Sequence, residues 1–494
     1  MSITRSLYTK AGFQVNQNIF WQMLSDDQCE EIYLKTVELL ERTGVDVKDE
    51  KARKVFADGG CWVEGERVRI PSVKIDWAVQ TAPSRVTITD RAGKRAMMLE
   101  ATNAHFGPGF GNTQTIDVES GEIRATVLED VVKTAKVCDG LPYVQFVSDN
   151  GTPTDAPAGL AELYSFKTLA DNTAKPVLQQ VNGPAQAQAV IDMAFEIRGG
   201  AEKFQQDPFA VLYTSNDQPL EIQEAAAGVV RVAAENGFPV VFSNNLITGL
   251  TAPQKSASAI LVGLASSLAA LLLTQLVRPG TPFVAGGFFT TYDKDNDLVP
   301  YGAPEISLLG AGFVGVLRWL RLPSFSNAGG TDAKTSDAQL GMESAMSLLL
   351  AGLSGANLIY GAGQTDTGNV SSLYAVVMAD EIIGMTKRII KGVGMDEDKL
   401  ARGVIDEVQP GGHYLGAAHT KYYFKTEQFW PTLMNRKRID DWIAEGSKSL
   451  GVRTEEKTKK LLNNYKGQPL EADVSSRLAQ IIDGYAAKLG GGNN

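Results

Sequence analysis

The pattern of apolar and polar positions changes rhythm twice along the chain. Between Asp26 and Gly44, DDQCEEIYLKTVELLERTG sets apolar residues three and four apart, which predicts an amphipathic helix. Ser25 and Gln28 stand in front of it at capping-box spacing, and Gly44 closes it. The stretches 60-GCWVEGERVRIP-71 and 85-RVTITDRAGK-94 alternate and carry turn residues, so they predict short strands. Residues 1–100 therefore form an α+β extension.

A second rhythm starts near residue 100. Short β-like runs recur at 103-NAHFGPG-109, 143-YVQFVSDNG-151, 176-PVLQQVNG-183 and 209-FAVLYTSND-217. They continue at 239-PVVFSNN-245, 282-PFVAGGF-288, 323-PSFSNAGG-330 and 357-NLIYGAGQ-364. Helical patterns fill the intervals, two of them behind capping-box spacings, Thr126 with Glu129 and Thr251 with Gln254. Eight such units across residues 101–370 predict a (β/α)8 TIM barrel, with the hairpin 112-NTQTIDVESGEIR-124 inserted after the first strand. Residues 371–494 read as helices that complete and cover the barrel. A doubly wound open sheet is the competing fold, but 107-GPGFG-111 and 361-GAGQTDTG-368 both fail its G-x-G-x-x-G fingerprint.

The apolar stretch 256-SASAILVGLASSLAALLLTQLV-277 is long enough to span a membrane. Its small and hydroxyl residues and its strand-like flanks predict a buried helix instead, one whose all-round apolarity suggests a homo-oligomer interface. The N-terminal MSITRSLYTKAGFQV has no apolar core of a secretory leader, so a cytoplasmic protein is expected. A net charge of -10 without a basic stripe argues against nucleic acid. Three scattered cysteines and three histidines leave no pattern for a metal site.

In a barrel of this kind the active site lies at the carboxyl ends of the strands. The residues there include His105, Asp149, Asn150, Gln180, Asn182, Tyr213, Ser215, Asn216, Asn244 and Asn245. Phe288, Asn327, Gly330, Asp332, Tyr360 and Gln364 complete the set, which is rich in amides and aromatics and lacks an evident acid pair. Converging aromatics would suit a quaternary ammonium through cation–π attraction. The polar loop 326-SNAGGTDAKTSDAQ-339 superficially suggests a phosphate loop, but Ala328 and Ala333 occupy the glycine positions that such a loop needs. Its bland reading is a strand-to-helix turn in which Asp332 or Ser336 caps the next helix. Asp380 and Glu381, adjacent on a helix, point about 100° apart and read as surface or ion-paired groups.

The segments 39-LLERTGVDV-47, 68-VRIPSVKIDWAVQTAPSRVTITDR-91, 103-NAHFGPG-109, 330-GTDAKTSDAQ-339, 378-MADEIIGMTKR-388 and 411-GGHYLGAAHT-420 resemble the trimethylamine methyltransferase family of corrinoid-dependent enzymes. The resemblance implies a (β/α)8 barrel that moves a methyl group from a methylamine to cobalamin carried by a separate corrinoid protein. Trimethylamine-specific members carry pyrrolysine in or near the 326–339 loop. Only standard residues stand there in this chain, with Gly330 and Lys334 the nearest candidates for the equivalent position.

A tertiary amine needs activation before it releases methyl, whereas a quaternary ammonium releases a neutral amine without proton transfer. The expected donor is therefore a quaternary amine, demethylated by in-line displacement with no catalytic acid–base pair; the resemblance to the branch without pyrrolysine implies glycine betaine, giving dimethylglycine. The expected substrate-binding set is His105, Asn150, Tyr213, Asn244, Phe288, Gly330, Asp332, Tyr360 and His413, with His105 and His413 among the donors to the carboxylate. The competing classes are a barrel hydrolase or lyase acting on a betaine or carnitine, which needs two acids at the mouth, and a non-catalytic betaine binder.

Overall fold

The computed structural model describes residues 19–490, so the N-terminal MSITRSLYTKAGFQV and most of the C-terminal GGGNN lie outside the described residues. The chain opens with helix α1 (Asp26–Arg42), where both hydrogen bonds of the Ser25–Gln28 capping box are made. Strand β1 (Val45–Val47), helix α2 (Glu50–Asp58), strands β2 (Trp62–Glu64) and β3 (Arg67–Arg69) and helix α3 (Ser72–Thr81) follow. The hairpin β4 (Val86–Thr89) and β5 (Arg95–Leu99) ends this region.

The barrel begins at β6 (His105–Pro108) and continues, after the hairpin β7 (Gln114–Ile116) and β8 (Ile123–Ala125), with α4 (Leu128–Asp139) and α5 (Ala161–Asn172). Next come β9 (Val177–Gln180), α6 (Pro184–Arg198), α7 (Ala201–Gln206), β10 (Ala210–Asn216), β11 (Glu221–Ile222) and α8 (Glu224–Glu235). Then follow β12 (Val240–Thr248), α9 (Ser256–Val277), β13 (Phe283–Thr291), α10 (Pro304–Trp319), β14 (Ser324–Asn327) and α11 (Ala338–Ser354). Strand β15 (Leu358–Ala362), the short strands β16 (Gln364–Thr365) and β17 (Val370–Ser371), and α12 (Leu373–Ile390) complete it.

All barrel strands are parallel, in the order β6-β15-β14-β13-β12-β10-β9. Residues 144–147 close the ring as its second strand, bridging to Phe106 on one side and to Val177 on the other. The eighth helix, α12, starts just past the boundary expected at residue 370.

Two apolar layers result. Inward-pointing Phe146, Leu178, Val211, Val241, Val284, Phe325 and Leu358 fill the barrel, and Val86, Ile88, Met97 and Leu99 of the β4–β5 hairpin join them as a plug. Outward residues such as Phe106, Leu212, Phe242 and Phe289 pack beneath the helices. The span-like helix α9 is buried under α1, α2, α3 and its barrel neighbours, so the chain's own N-terminal helices cover it and its apolarity gives no ground for an oligomer.

Two expected caps are displaced. The Asp130 carboxylate, rather than Glu129, accepts from the Val127 N–H at the start of α4. Thr251 turns back to accept from Ile247, and α9 starts without a side-chain cap. Asp380 and Glu381 are buried rather than on the surface. Asp380 accepts from the N–H groups of Tyr143 and Val144, tying α12 to the second strand, while Glu381 accepts from Thr432 and Met434.

After α12 come α13 (Glu397–Leu400), α14 (Arg402–Val408), α15 (Ala418–Tyr423) and α16 (Ile439–Ala444). Then α17 (Leu450–Asn464) returns along α12 and α4, and α18 (Ala472–Gly490) packs on α5 and α6.

Candidate active site

Strand alternation decides which polar residues at the barrel's carboxyl end face inward. Tyr213, Tyr360, Phe110 and Phe325 form one aromatic layer across the interior. Phe110 stacks on Tyr360 at 4.6 Å between ring centroids and tilts against Tyr213 at 4.4 Å. The Tyr213 hydroxyl meets Ser243 and Tyr360, and the Tyr360 hydroxyl meets Asn327. Burial pushes both phenols above their ordinary range, so both rings stay neutral.

Phe288 and Tyr301 make a second pair, 4.6 Å apart. Tyr301 is the meeting point of three loops. A Cβ placed on Gly330 would stand 2.8 Å from its Cδ1, and Gly368 of the eighth loop lies against its ring. Gly329 turns the seventh loop with φ +92°, which favours glycine. Gln364 lies beside Gly330 and against Gly109, with its Nε2 donating to the Phe110 carbonyl. Its Oε1 is buried and finds no hydrogen-bond partner within the protein. An unpaired buried acceptor costs roughly 1–3 kcal/mol, so it marks a place where a ligand can make up the loss.

The expected site residues divide. Tyr213 and Tyr360 belong to the aromatic layer, and Phe288 and Gly330 lie against Tyr301 beside it. Asn150, in left-handed conformation at φ 56°, lies against Gly363 of the eighth loop, and its buried Oδ1 also lacks a partner.

Four residues go elsewhere. Asn244 points outward, donating to the Gly263 carbonyl and to Ser267 on α9; its neighbours Ser243 and Asn245 take the inward positions. Asp332 binds the Tyr301 and Gly302 N–H groups at 2.6 and 2.9 Å, so its carboxylate holds the sixth loop in place. It does not cap α11 either; Asp337 does, by accepting from Gln339.

His105 is the first residue of β6, at the plugged end, where its Nε2 contacts the Met98 backbone. Burial and the nearby Lys387 ammonium lower its pKa to about 4. His413 is exposed on the segment after α14. Neither imidazole therefore lies beside the aromatic layer at the carboxyl end. Lys334 is exposed, donating to the Asp332 carbonyl and pairing with Asp366, whereas Gly330 lies against Tyr301 and Gln364.

Sequence reasoning passed over Tyr301, which sits mid-loop far from any strand end, and Phe110, one residue beyond the quoted first run. Of the carboxylates nearby, Glu343 is half-buried and engaged, whereas the buried Asp149 leaves its Oδ1 without a hydrogen-bond partner within the protein. Glu343 accepts from Asp332 and Thr331, and Asp149 in the second loop is raised to about 7 by burial. Among the described residues no cluster of three or more His, Cys, Asp or Glu side chains could hold a metal.

This architecture is that of a (β/α)8 barrel with a cluster of neutral aromatics and amides at its carboxyl end. The crystal structure of the monomethylamine methyltransferase of Methanosarcina barkeri shares the fold, with a TM-score of 0.54 at 12% identity over 94% of this chain and 92% of that one. Residues 4–490 match the family described as trimethylamine methyltransferase (MTTB), and the chain belongs to that family of corrinoid-dependent methyltransferases.

Similar proteins include a trimethylamine methyltransferase of Desulfitobacterium hafniense (strain DSM 10664 / DCB-2), 29% identical over 93% of each chain. Another is a glycine betaine methyltransferase of Desulfitobacterium hafniense (strain Y51), 29% identical over 95% of this chain and 98% of the relative.

Proposed function

We propose that this protein takes a methyl group from a quaternary amine, with glycine betaine the expected donor, and passes it to cob(I)alamin on a separate corrinoid protein. One observation carries the reading. The carboxyl end gathers neutral aromatics and amides without an engaged acid–base pair, and Gly330 leaves no side chain between Tyr301 and Gln364. A quaternary ammonium needs nothing more than a ring face and alignment, because its leaving group is already a neutral amine.

In this mechanism Phe288 and Tyr301 present their faces to the trimethylammonium group, above the layer formed by Tyr213 and Tyr360. The Asn327 Nδ2, which finds no hydrogen-bond partner within the protein, donates to the carboxylate, and the Gln364 Oε1 dipole faces the cationic end. The corrinoid, a substrate brought by its own protein, supplies the nucleophile from the open side of the mouth. As the methyl carbon leaves, the C–N electron pair stays on nitrogen and no proton moves. The fixed Tyr301 loop keeps the departing methyl in line, and the buried phenols, held protonated, place no competing anion near it.

The test follows the cobalt spectrum while the protein is mixed with cob(I)alamin and each of trimethylamine, glycine betaine, proline betaine, carnitine and choline. Methylation from glycine betaine, with trimethylamine inert, is the expected result. Failure of every quaternary amine would refute the reading, and methylation from trimethylamine alone would remove the argument from the missing pyrrolysine.

A further inference from the structure

A pocket of about 360 Å³ opens at the plugged end of the barrel, away from the aromatic layer. The β4–β5 hairpin, the start of β6 and the last turn of α12 wall it. Met98 and Ile390 give it apolar faces, and Lys387 and Lys391 give it charge. No carboxylate lines it among the described residues.

Lys387 is placed unusually for a lysine at a helix C-terminus, where an exposed ammonium would serve the helix dipole as well. It is half-buried and turned onto the start of β6. Its ammonium donates to the Ala104 carbonyl at 3.2 Å and to Gln145 Oε1, with the Phe106 ring centre 5.5 Å away. Every one of these partners is neutral. Burial, with no carboxylate to offset it, lowers its pKa to about 8. Taking an ammonium out of water without a counter-charge is costly, and here the cost is uncompensated.

His105 supplies a second, independent sign. It lines the same pocket at 9% exposure, and its buried Nδ1 finds no hydrogen-bond partner within the protein. Gln145 approaches the ring, but its Oε1 already serves Lys387. In the tautomer whose Nε2 accepts from the Met98 N–H at 3.3 Å, Nδ1 carries the proton and is a donor without an acceptor. An ammonium without an anion and a donor without an acceptor thus border one cavity.

We infer that this pocket is a binding site for a small organic carboxylate, its head group held by Lys387 and His105 and its short aliphatic body lying against Met98 and Ile390. The anionic head follows from positive charge that no acid matches, and the aliphatic body from the apolar walls. Inorganic phosphate lacks that body. Glycine betaine carries its own ammonium, which the two lysines repel, so the site is separate from that of the methyl donor. An occupant bridges the β4–β5 plug to α12 and stabilises the fold by mass action.

The full chain is titrated calorimetrically with hexanoate and with inorganic phosphate, and with hexanoate again in saturating glycine betaine. Hexanoate is expected to bind and to raise the thermal midpoint, with phosphate at least about tenfold weaker. Glycine betaine should leave the hexanoate isotherm unchanged. Dilute acetic anhydride at pH 8, read by peptide mass spectrometry, places the ligand. Saturating hexanoate should slow labelling of Lys387 at least about fivefold and leave that of the exposed Lys460 unchanged. Lys391→Glu, at an exposed position, should weaken hexanoate at least about tenfold without altering far-UV circular dichroism. Lys387→Met, which keeps the apolar stem and drops the charge, should abolish binding. Absence of hexanoate binding overturns the inference, as does unchanged affinity in Lys391→Glu. So do displacement by glycine betaine, phosphate binding as tight as hexanoate, and unslowed labelling of Lys387.

Discussion

The carboxylate of Asp332 in the seventh loop holds the backbone of Tyr301 in the sixth, at 2.6 Å from the Tyr301 nitrogen. A residue expected to touch substrate instead fixes the loop that carries Tyr301. Replacing Asp332 by Ala leaves two part-buried N–H groups without an acceptor and costs about 2–4 kcal/mol. It also frees the Tyr301 ring, so kcat/KM for the quaternary donor should fall roughly ten- to a hundredfold. Asp332→Asn, which keeps one acceptor oxygen, should lie between. Thermal unfolding and cobalt-linked assays check the two effects separately, and wild-type kcat/KM in Asp332→Ala would contradict the positioning role.

Gly330 is a close approach between the seventh loop and the Tyr301 ring. An alanine Cβ there meets Tyr301 Cδ1 at 2.8 Å, closer than real contacts allow, so the ring has to shift by a few tenths of an ångström. A leucine projects further and fills the space. Gly330→Leu should weaken glycine betaine binding by at least about tenfold, or 1.4 kcal/mol, in calorimetric titration. Gly330→Ala should do so mildly. Unchanged affinity in the leucine variant would put the donor's site elsewhere.

Asp149 gives the protein a pH-dependent weakness. Burial raises its folded pKa from 3.8 to about 7, so the folded state holds a proton that the unfolded state releases. Its stabilising contribution is complete below the unfolded pKa and is lost as pH rises through the folded one. Between these values stability should fall by up to about 1.4 kcal/mol per pH unit from this group. Asp149→Asn stays neutral throughout. Denaturant unfolding at pH 5 and pH 8 should therefore show a smaller decline in the variant, and parallel slopes would exclude this titration.

The sequence rhythm located all eight barrel strands because buried parallel strands need short apolar runs between amphipathic helices. Even the second, which pairs only through single bridges, was legible in YVQFV. The facing of individual residues was not. In β12 a shift of one position separates Asn244, which grips α9, from Ser243 and Asn245, which face the interior, and composition does not reveal that parity. His105 was read as a strand end because NAHFGPG is one run, whereas the strand begins at the histidine. Tyr301 was invisible for another reason: its place depends on three loops that meet only once the barrel closes.

His105 separates the two ends of the barrel experimentally. It sits at the plugged end, and burial with the Lys387 ammonium lowers its pKa from 6.5 to about 4. In the unfolded chain the imidazole gains a proton below its ordinary pKa, while the folded one resists it. Its contribution is thus present above pH 6.5 and lost as pH falls toward 4, the opposite direction to Asp149. His105→Gln removes the titration while keeping hydrogen-bonding groups near Met98. The variant should show a flatter stability profile between pH 6.5 and 4 in denaturant unfolding. Its affinity for glycine betaine at pH 7.5 should equal that of the wild type, since the aromatic layer of Tyr213 and Tyr360 stands between this residue and the barrel's carboxyl end. Loss of affinity with an intact thermal midpoint would return His105 to the substrate site and reverse the assignment of the barrel's working end.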